Sequence, residues 1–332
     1  MRISLSFFAR PTPCALALML ALAAGSVQAK DTGLVFVSNE KTSDITVIDP
    51  TSMKVVNSIK TSRRPRDMHL NKDRTLLYVA CGDDDVIDVI DVGKQAVVDH
   101  IPTGPSPEVF RLSADESTIY VSNEENSSLQ IISVKDKIIT HEVATGAEPE
   151  GVVVSEDGGT IYVTSEVADM VHVVDAKSGA VTDNIIVGTR PRRFALTPDG
   201  KELWVSAELS GEVYIIDRAT NQIKQVLKFL PPRFRQVDVT PVDLTMTQDG
   251  KTAVVTLGRA NHIAFVDVLT RNIESYVLVG SRAWGLHLTK DEKTLYVTNG
   301  LSDDVSIVDV ASRKVLKSVP VGRVPHSIVI DE

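Results

Sequence analysis

Seven near-copies of one unit run down this chain, and their spacing decides what it can fold into. The aromatic or apolar centre of a β-branched run stands at Phe36, Tyr78, Tyr120, Tyr162, Trp204, Val254 and Tyr296, in steps of 42 residues with a single step of 50. The residue ending the next apolar run keeps those steps at Asp49, Asp91, Ser133, Asp175, Asp217, Asp267 and Asp309. A turn position keeps them too, at Pro65, Pro107, Pro149, Pro191, Pro241, Ala283 and Pro325. Three landmarks in phase exclude an accident of composition, and a period of about 40–50 residues means stacked supersecondary units.

One unit shows what is being stacked. Thr160 to Thr164, Met170 to Asp175, Ala180 to Val187 and Arg192 to Leu196 are β-branched runs, punctuated by Gly188-Thr189-Arg190-Pro191 and Thr197-Pro198-Asp199-Gly200. This is strand-and-turn chemistry, with no helical periodicity of useful length. Four antiparallel strands repeated radially predict an all-β fold, a seven-bladed β-propeller. The array opens on a second strand (Leu34 to Ser38) and ends on a first strand (His326 to Ile330). The C-terminal strand should therefore pair into the N-terminal blade, closing the ring and hiding two edges.

The repeat begins only after residue 29. Arg2 and Arg10 precede an apolar run from Ala15 to Ala24 and then Val27-Gln28-Ala29. Residues 1–29 are therefore expected to be a cleaved secretory signal, and 30–332 the propeller. The run is too short for the ~20 apolar residues of a membrane span. Without the signal, Lys+Arg falls to 35 − 2 = 33 against 44 acids, a net charge of −11, with no basic run. That balance argues against nucleic acid, and no later segment is apolar enough for membrane insertion. Cys81 is then the only cysteine, so no intramolecular disulfide is expected, and the C-x-x-C-H of a c-type haem is absent.

The wording of the repeat carries a resemblance. Leu295-Tyr296-Val297-Thr298-Asn299, Val305-Ser306-Ile307-Val308-Asp309, Val321-Gly322-Arg323-Val324-Pro325 and Thr197-Pro198-Asp199-Gly200-Lys201 resemble the YVTN family of β-propellers across residues 34–330. Length, signal and seven units are similar to the exported propellers associated with pyrroloquinoline-quinone (PQQ)-dependent alcohol catabolism. The resemblance implies a periplasmic location and a partner in a quinoprotein dehydrogenase system. No cofactor fingerprint is evident, and the seven histidines differ too much in phase to converge on a metal.

Because positions in phase lie at one level of the ring, departures from the repeat can be mapped. The aspartates are expected to cap turns, and the prolines to fix the start of the first strand. Pairing the residue after each turn proline with the residue after each second-strand end gives Arg66/Gly82, Glu108/Glu124, Glu150/Glu166, Arg192/Glu208, Val242/Gly258, Trp284/Gly300 and His326/Glu40. All should ring the axial opening, with a charged sector facing an open, partly apolar one. The 50-residue step inserts Lys228 to Gln236 beside that open sector, where Phe229, Arg233, Phe234 and Arg235 suggest a lid or docking loop. Ten of the 16 arginines after residue 29 fall in the turns entering first strands, Arg282 and Arg323 among them.

Two functions follow. One is a non-enzymatic binding or scaffold protein. It would hold a small anionic metabolite or a periplasmic protein partner through Arg66, Arg192, Arg193, Phe229, Arg233, Phe234, Arg235, Val242, Arg282, Trp284, Arg323 and His326. The alternative is a lactonase-like hydrolase, since related propellers open sugar lactones. Glu108/Glu124 or Glu150/Glu166 would supply acid and base, and His326 beside Glu40 is a further acid–base candidate.

Overall fold

The structure, a computed structural model, describes residues 31–332, so the predicted signal at 1–29 lies outside the described residues. Twenty-eight strands form seven four-stranded antiparallel sheets, the predicted propeller. The closing blade joins Val35–Asn39, Asp44–Asp49 and Lys54–Lys60 to Pro325–Ile330. The other six begin with the inner strands Pro65–Leu70, Pro107–Leu112, Pro149–Val154, Pro191–Leu196, Leu244–Met246 and Ala283–Leu288. The C-terminal strand pairs into the N-terminal blade as predicted, with Val35 opposite Ile330, Phe36 opposite Val329 and Val37 opposite Ile328. The Asp331 carboxylate then accepts the backbone N–H of Thr32 at 2.8 Å and its hydroxyl at 2.7 Å.

The core lies between blades. Phe36, Ile45 and Val47 pack on Met68, Leu77 and Val79 of the next blade, and the same interleaving recurs around the ring. Outermost strands such as Lys54–Lys60 and Ile138–Ala144 are almost wholly exposed, while inner strands touch their counterparts in neighbouring blades and so line the axis. The repeated aspartates are turn caps. Asp49 accepts from Thr51 N at 2.9 Å, Asp175 from Ser178 N at 2.8 Å and Asp309 from Ser312 N at 2.8 Å. At the odd position out, the Ser133 hydroxyl takes the role, accepting from Asp136 N at 3.2 Å.

Candidate functional site

Six inner strands start with a one-residue bulge. Pro65 faces Cys81 and Met68 faces Val79, so Arg66 and Asp67 together oppose Ala80. The offset recurs at Glu108–Val109, Glu150–Gly151, Arg192–Arg193, Trp284–Gly285 and His326–Ser327. A bulge re-aims side chains that a regular strand would send to opposite faces. Here it lets two consecutive residues line the axis, as Arg66–Asp67, Arg192–Arg193 and His326–Ser327 do.

In five of the six bulges the freed N–H is satisfied by a hydroxyl facing it. Gly151 N donates to Thr164 Oγ1 at 2.7 Å, Arg193 N to Ser206 Oγ at 3.0 Å, Gly285 N to Thr298 Oγ1 at 2.7 Å and Ser327 N to Ser38 Oγ at 3.0 Å. The same hydroxyls donate onward to the backbone carbonyl of the lining residue in the next blade. Thr164 reaches Arg192 at 2.9 Å, Thr256 reaches Trp284 at 2.7 Å, Thr298 reaches His326 at 2.9 Å and Ser38 reaches Arg66 at 2.6 Å. A relay of buried hydroxyls therefore fixes the lining residues from behind. Ala80 is the one break in it.

The lining side chains enclose two recesses of about 200 and 210 Å³ along the axis. Trp284 and His326 border both, and Arg193 donates to His326 Nε2 at 3.3 Å, so these three form the partition. The mouth recess holds Glu40, Glu124, Glu150, Arg66, Arg190, Arg192 and Arg282. The second holds Asp67, His69, Arg111, Asp243 and His287.

Charges around the mouth are cross-linked rather than free. Arg192 contacts Glu166, Glu208 at 2.7 Å and Glu150 at 3.5 Å. Arg193 meets Glu150 at 3.1 Å, Arg190 meets Glu166 at 2.7 Å and Arg66 meets Glu108 at 2.6 Å. Arg64 bridges Glu108 and Glu124. Both predicted carboxylate pairs split. Burial pushes Glu108 well above the usual range, against Arg66 and Arg64, while Glu124 is held below it because the Glu108 hydrogen bond and Arg66 outweigh burial. Burial and the Glu150 charge push Glu166 up to about 8. Glu150 stays far below the range because Arg193, Arg66 and Arg192 together overcome its burial.

His326 is held neutral, since burial and then Arg66 and Arg193 drive it well below the ordinary imidazole range. With Nε2 accepting from Arg193, its Nδ1–H points at Ser327 Oγ, 2.9 Å away. Glu40 lies 4.0 Å from Nε2, so the expected His326–Glu40 acid–base pair is not hydrogen-bonded. Arg282 differs from the other mouth arginines. Among the described residues it makes no carboxylate pair; it lies over the Trp284 ring at 4.4 Å and is partly desolvated, which lowers its pKa. The Trp284 indole N–H is buried without an acceptor. Beside them Gly300 leaves the wall open, for a Cβ there would meet nothing closer than 3.7 Å.

Comparison with known proteins decides the family. Residues 9–332 match the family model described as YNCE-like beta-propeller. The chain belongs to that family. Comparison with curated proteins gives no match. Among solved structures, this YNCE-like propeller is similar to Kuenenia stuttgartiensis hydrazine synthase, with 21% identity over 85% of this chain and 93% of that one and a TM-score of 0.76. A putative 6-phosphogluconolactonase from Bacteroides uniformis is 15% identical over 90% and 99%, with a TM-score of 0.73. A functionally unknown protein from Desulfotomaculum acetoxidans is 16% identical over 90% and 98%, with a TM-score of 0.75. At such identities the likeness is one of fold.

The structure brings Arg66, Glu124, Glu150, Arg192, Trp284 and His326, all members of the pairing scheme, together at the mouth with Arg282 beside them, and sets Glu108 and Glu166 behind them. The inserted segment is arranged otherwise than expected. Phe229 is fully buried in the interblade core, and Phe234 packs on that core and edge-on to His262 at 5.2 Å, so both aromatics anchor the loop to the core. Arg235 closes on Asp238 at 2.8 Å, Arg233 and Arg323 point to solvent, and Val242 lines the second recess, not the mouth. Residues two and four places after the turn proline build much of that recess: Asp67, Arg193 and Asp243, then His69, Arg111 and His287. Those phases were readable in the repeat, but only the bulge explains why they face the axis.

Proposed function

We propose that this propeller is a non-enzymatic, exported binding protein that takes a small organic carboxylate at the Arg282–Trp284 side of its mouth. One observation carries the reading: Arg282 is a half-buried guanidinium with no carboxylate partner among the described residues, stacked on an indole whose N–H also lacks an acceptor. Desolvated donors without partners are costly unless a ligand meets them. A recess of about 200 Å³ has the volume of roughly seven waters at about 30 Å³ each, suited to a small acid. The resemblance to propellers of PQQ-dependent alcohol catabolism gives the setting, a periplasmic alcohol-oxidation system, since oxidising primary alcohols yields carboxylates.

The test is calorimetric titration with acetate, glycolate, lactate, oxalate and succinate. At least one should bind, and Arg282→Gln should weaken it by about ten- to a hundredfold, the worth of one charge-assisted hydrogen bond. Binding by none of them, or equal binding by the variant, would overturn the reading.

The split pairs Glu108/Glu124 and Glu150/Glu166 favour a second reading, a hydrolase with protonated acid and ionised base. Against it, neither raised group, Glu108 or Glu166, lines the mouth recess, and Glu150 is held by three arginines. Turnover on a sugar-lactone panel that disappears in Glu150→Gln would favour hydrolysis.

A further inference from the structure

The mouth face has a second feature, outside the recess and independent of any ligand in it. The turn that follows each second-strand end sets one residue on the rim, and in five blades its N–H is bonded to a carbonyl of the neighbouring turn, as in Leu209 N to Thr189 O at 3.1 Å and Leu301 N to Ser281 O at 3.0 Å. In three successive blades that residue is charged: Lys41, Asp83 and Glu125. In the other four it is Val167, Leu209, Arg259 and Leu301. The rim is thus divided, with Val167, Leu209 and Leu301 standing 62%, 51% and 67% exposed on one half only.

The inserted segment falls inside that half. Gln236 lies against the turn at Gly211, donating to its carbonyl at 3.4 Å, and Arg259 N donates to Thr240 Oγ1 at 2.8 Å, which seats the insertion between Leu209 and Arg259. Buried Phe229, Phe234 against His262, and Leu230 N donating to Tyr276 Oη at 2.9 Å pin it from beneath. Leu230 and Val237 are left 54% and 70% exposed. Arg233 is held at φ +71°, a left-handed conformation that costs a non-glycine residue on the order of 1 kcal/mol. A strained, anchored loop that shows apolar side chains to water is preorganised for contact.

Charge gives the occupant. Arg233, Arg259 and Arg323 are exposed and form no ion pair within 4.0 Å among the described residues, Arg259 feeling the Asp238 carboxylate only at longer range, although the chain carries a net charge of −9. On the charged half, by contrast, Arg63 is tied to Asp84 at 2.7 Å. We propose that the half-ring from Val167 to Arg323 docks an acidic protein that sets apolar side chains among Leu209, Val237 and Leu301 and carboxylates against Arg233 and Arg259. Such a partner would sit over the mouth. An anionic bilayer fits less well, because Asp83 and Glu125 share the face and would be pressed against it.

The experiment places benzoylphenylalanine at Leu209, Leu301, Asp83 or Glu125 of the full chain in its source cells. A single photoproduct from Leu209 and Leu301, absent from the other two, is expected. The identified partner should be acidic and bind the purified propeller more weakly as salt rises. Leu209→Asp with Leu301→Asp, and separately Arg259→Glu, should each lower that affinity about tenfold or more, and Lys at a partner carboxylate should restore binding to Arg259→Glu. The proposal is overturned by equal crosslinking from both halves, by none, by a product that is a second copy of this chain, or by salt-insensitive binding. Arg259-dependent binding to phosphatidylglycerol vesicles would overturn it in favour of a membrane. These variants leave Arg282 and Trp284 intact, so small-carboxylate binding stands or falls separately.

Discussion

Replacing Arg192 by methionine isolates what the mouth network contributes. Arg192 is 5% exposed and serves Glu150, Glu166 and Glu208 at once, besides lying over Trp284 at 5.1 Å. Methionine keeps the apolar stem and removes the charge, leaving three buried carboxylates short of a counter-ion. Removing one partner of a buried ion pair costs about 3–5 kcal/mol, and the lost ring contact adds about 1 kcal/mol at most. At about 2–3 °C per kcal/mol for a chain of this size, the melting temperature at pH 8.5 should fall by roughly 6–18 °C. The pH dependence carries the diagnosis. Loss of Arg192 raises the folded-state pKa of its three carboxylates, so the variant binds more protons when folded than the wild type does. The stability deficit is then larger at pH 8.5 and shrinks as pH falls to 5.5 and the carboxylates take up protons. Glu166 starts this shift from about 8 and should lead it. Melts of wild type, Arg192→Met and Arg192→Met/Glu166→Gln at both pH values are the assay, and the second substitution should recover part of the loss at pH 8.5. A deficit equal at the two pH values, or no deficit at pH 8.5, refutes the account.

Five further outcomes test other parts of the description. Ala80→Ser supplies the hydroxyl missing from the interblade relay and should stabilise the protein by about 1 kcal/mol in urea melts, whereas Thr298→Val should cost about 1–3 kcal/mol by leaving Gly285 N and the His326 carbonyl unpaired. Gly151→Ala puts a Cβ 2.1 Å from the Arg192 carbonyl oxygen and should yield little folded protein, while Gly300→Ala should fold normally and weaken carboxylate binding in the titration. Cys81 is fully buried and its thiol is raised well above its usual pKa by burial, so maleimide labelling should be negligible until denaturant unfolds the ring.

Much of this architecture was legible because a repeat turns one dimension into two. Phase gave each residue a height along the axis and unit number gave it an angle, so the closing strand, the turn aspartates and the Glu150–Arg192–Trp284–His326 mouth could be placed without coordinates. What escaped had local causes. Phe229 and Phe234 lie in the one segment outside the repeat, where phase says nothing, and burial against Val239 and Leu257 decided their direction. The second recess escaped because strand alternation predicts that Asp67 and Arg193 turn away from the axis, and only the bulge reverses that. Phase places Arg190, Arg192 and Arg193 near Glu150, Glu166 and Glu208, but only distance shows that they pair.

His326 belongs to the last strand, and Glu40 follows the first strand of the chain. The mouth recess is therefore assembled from the first and last described strands and exists only when the seal between Val35–Asn39 and Pro325–Ile330 is shut. That pairing has the longest sequence separation in the fold, so it is expected among the slowest contacts to form. In an open solenoid each repeat can work with its neighbours alone. Here a chain whose last strand has slipped free would keep six blades and lose the floor of its pocket. Occupancy of the mouth would then act as a certificate that the ring has folded and locked.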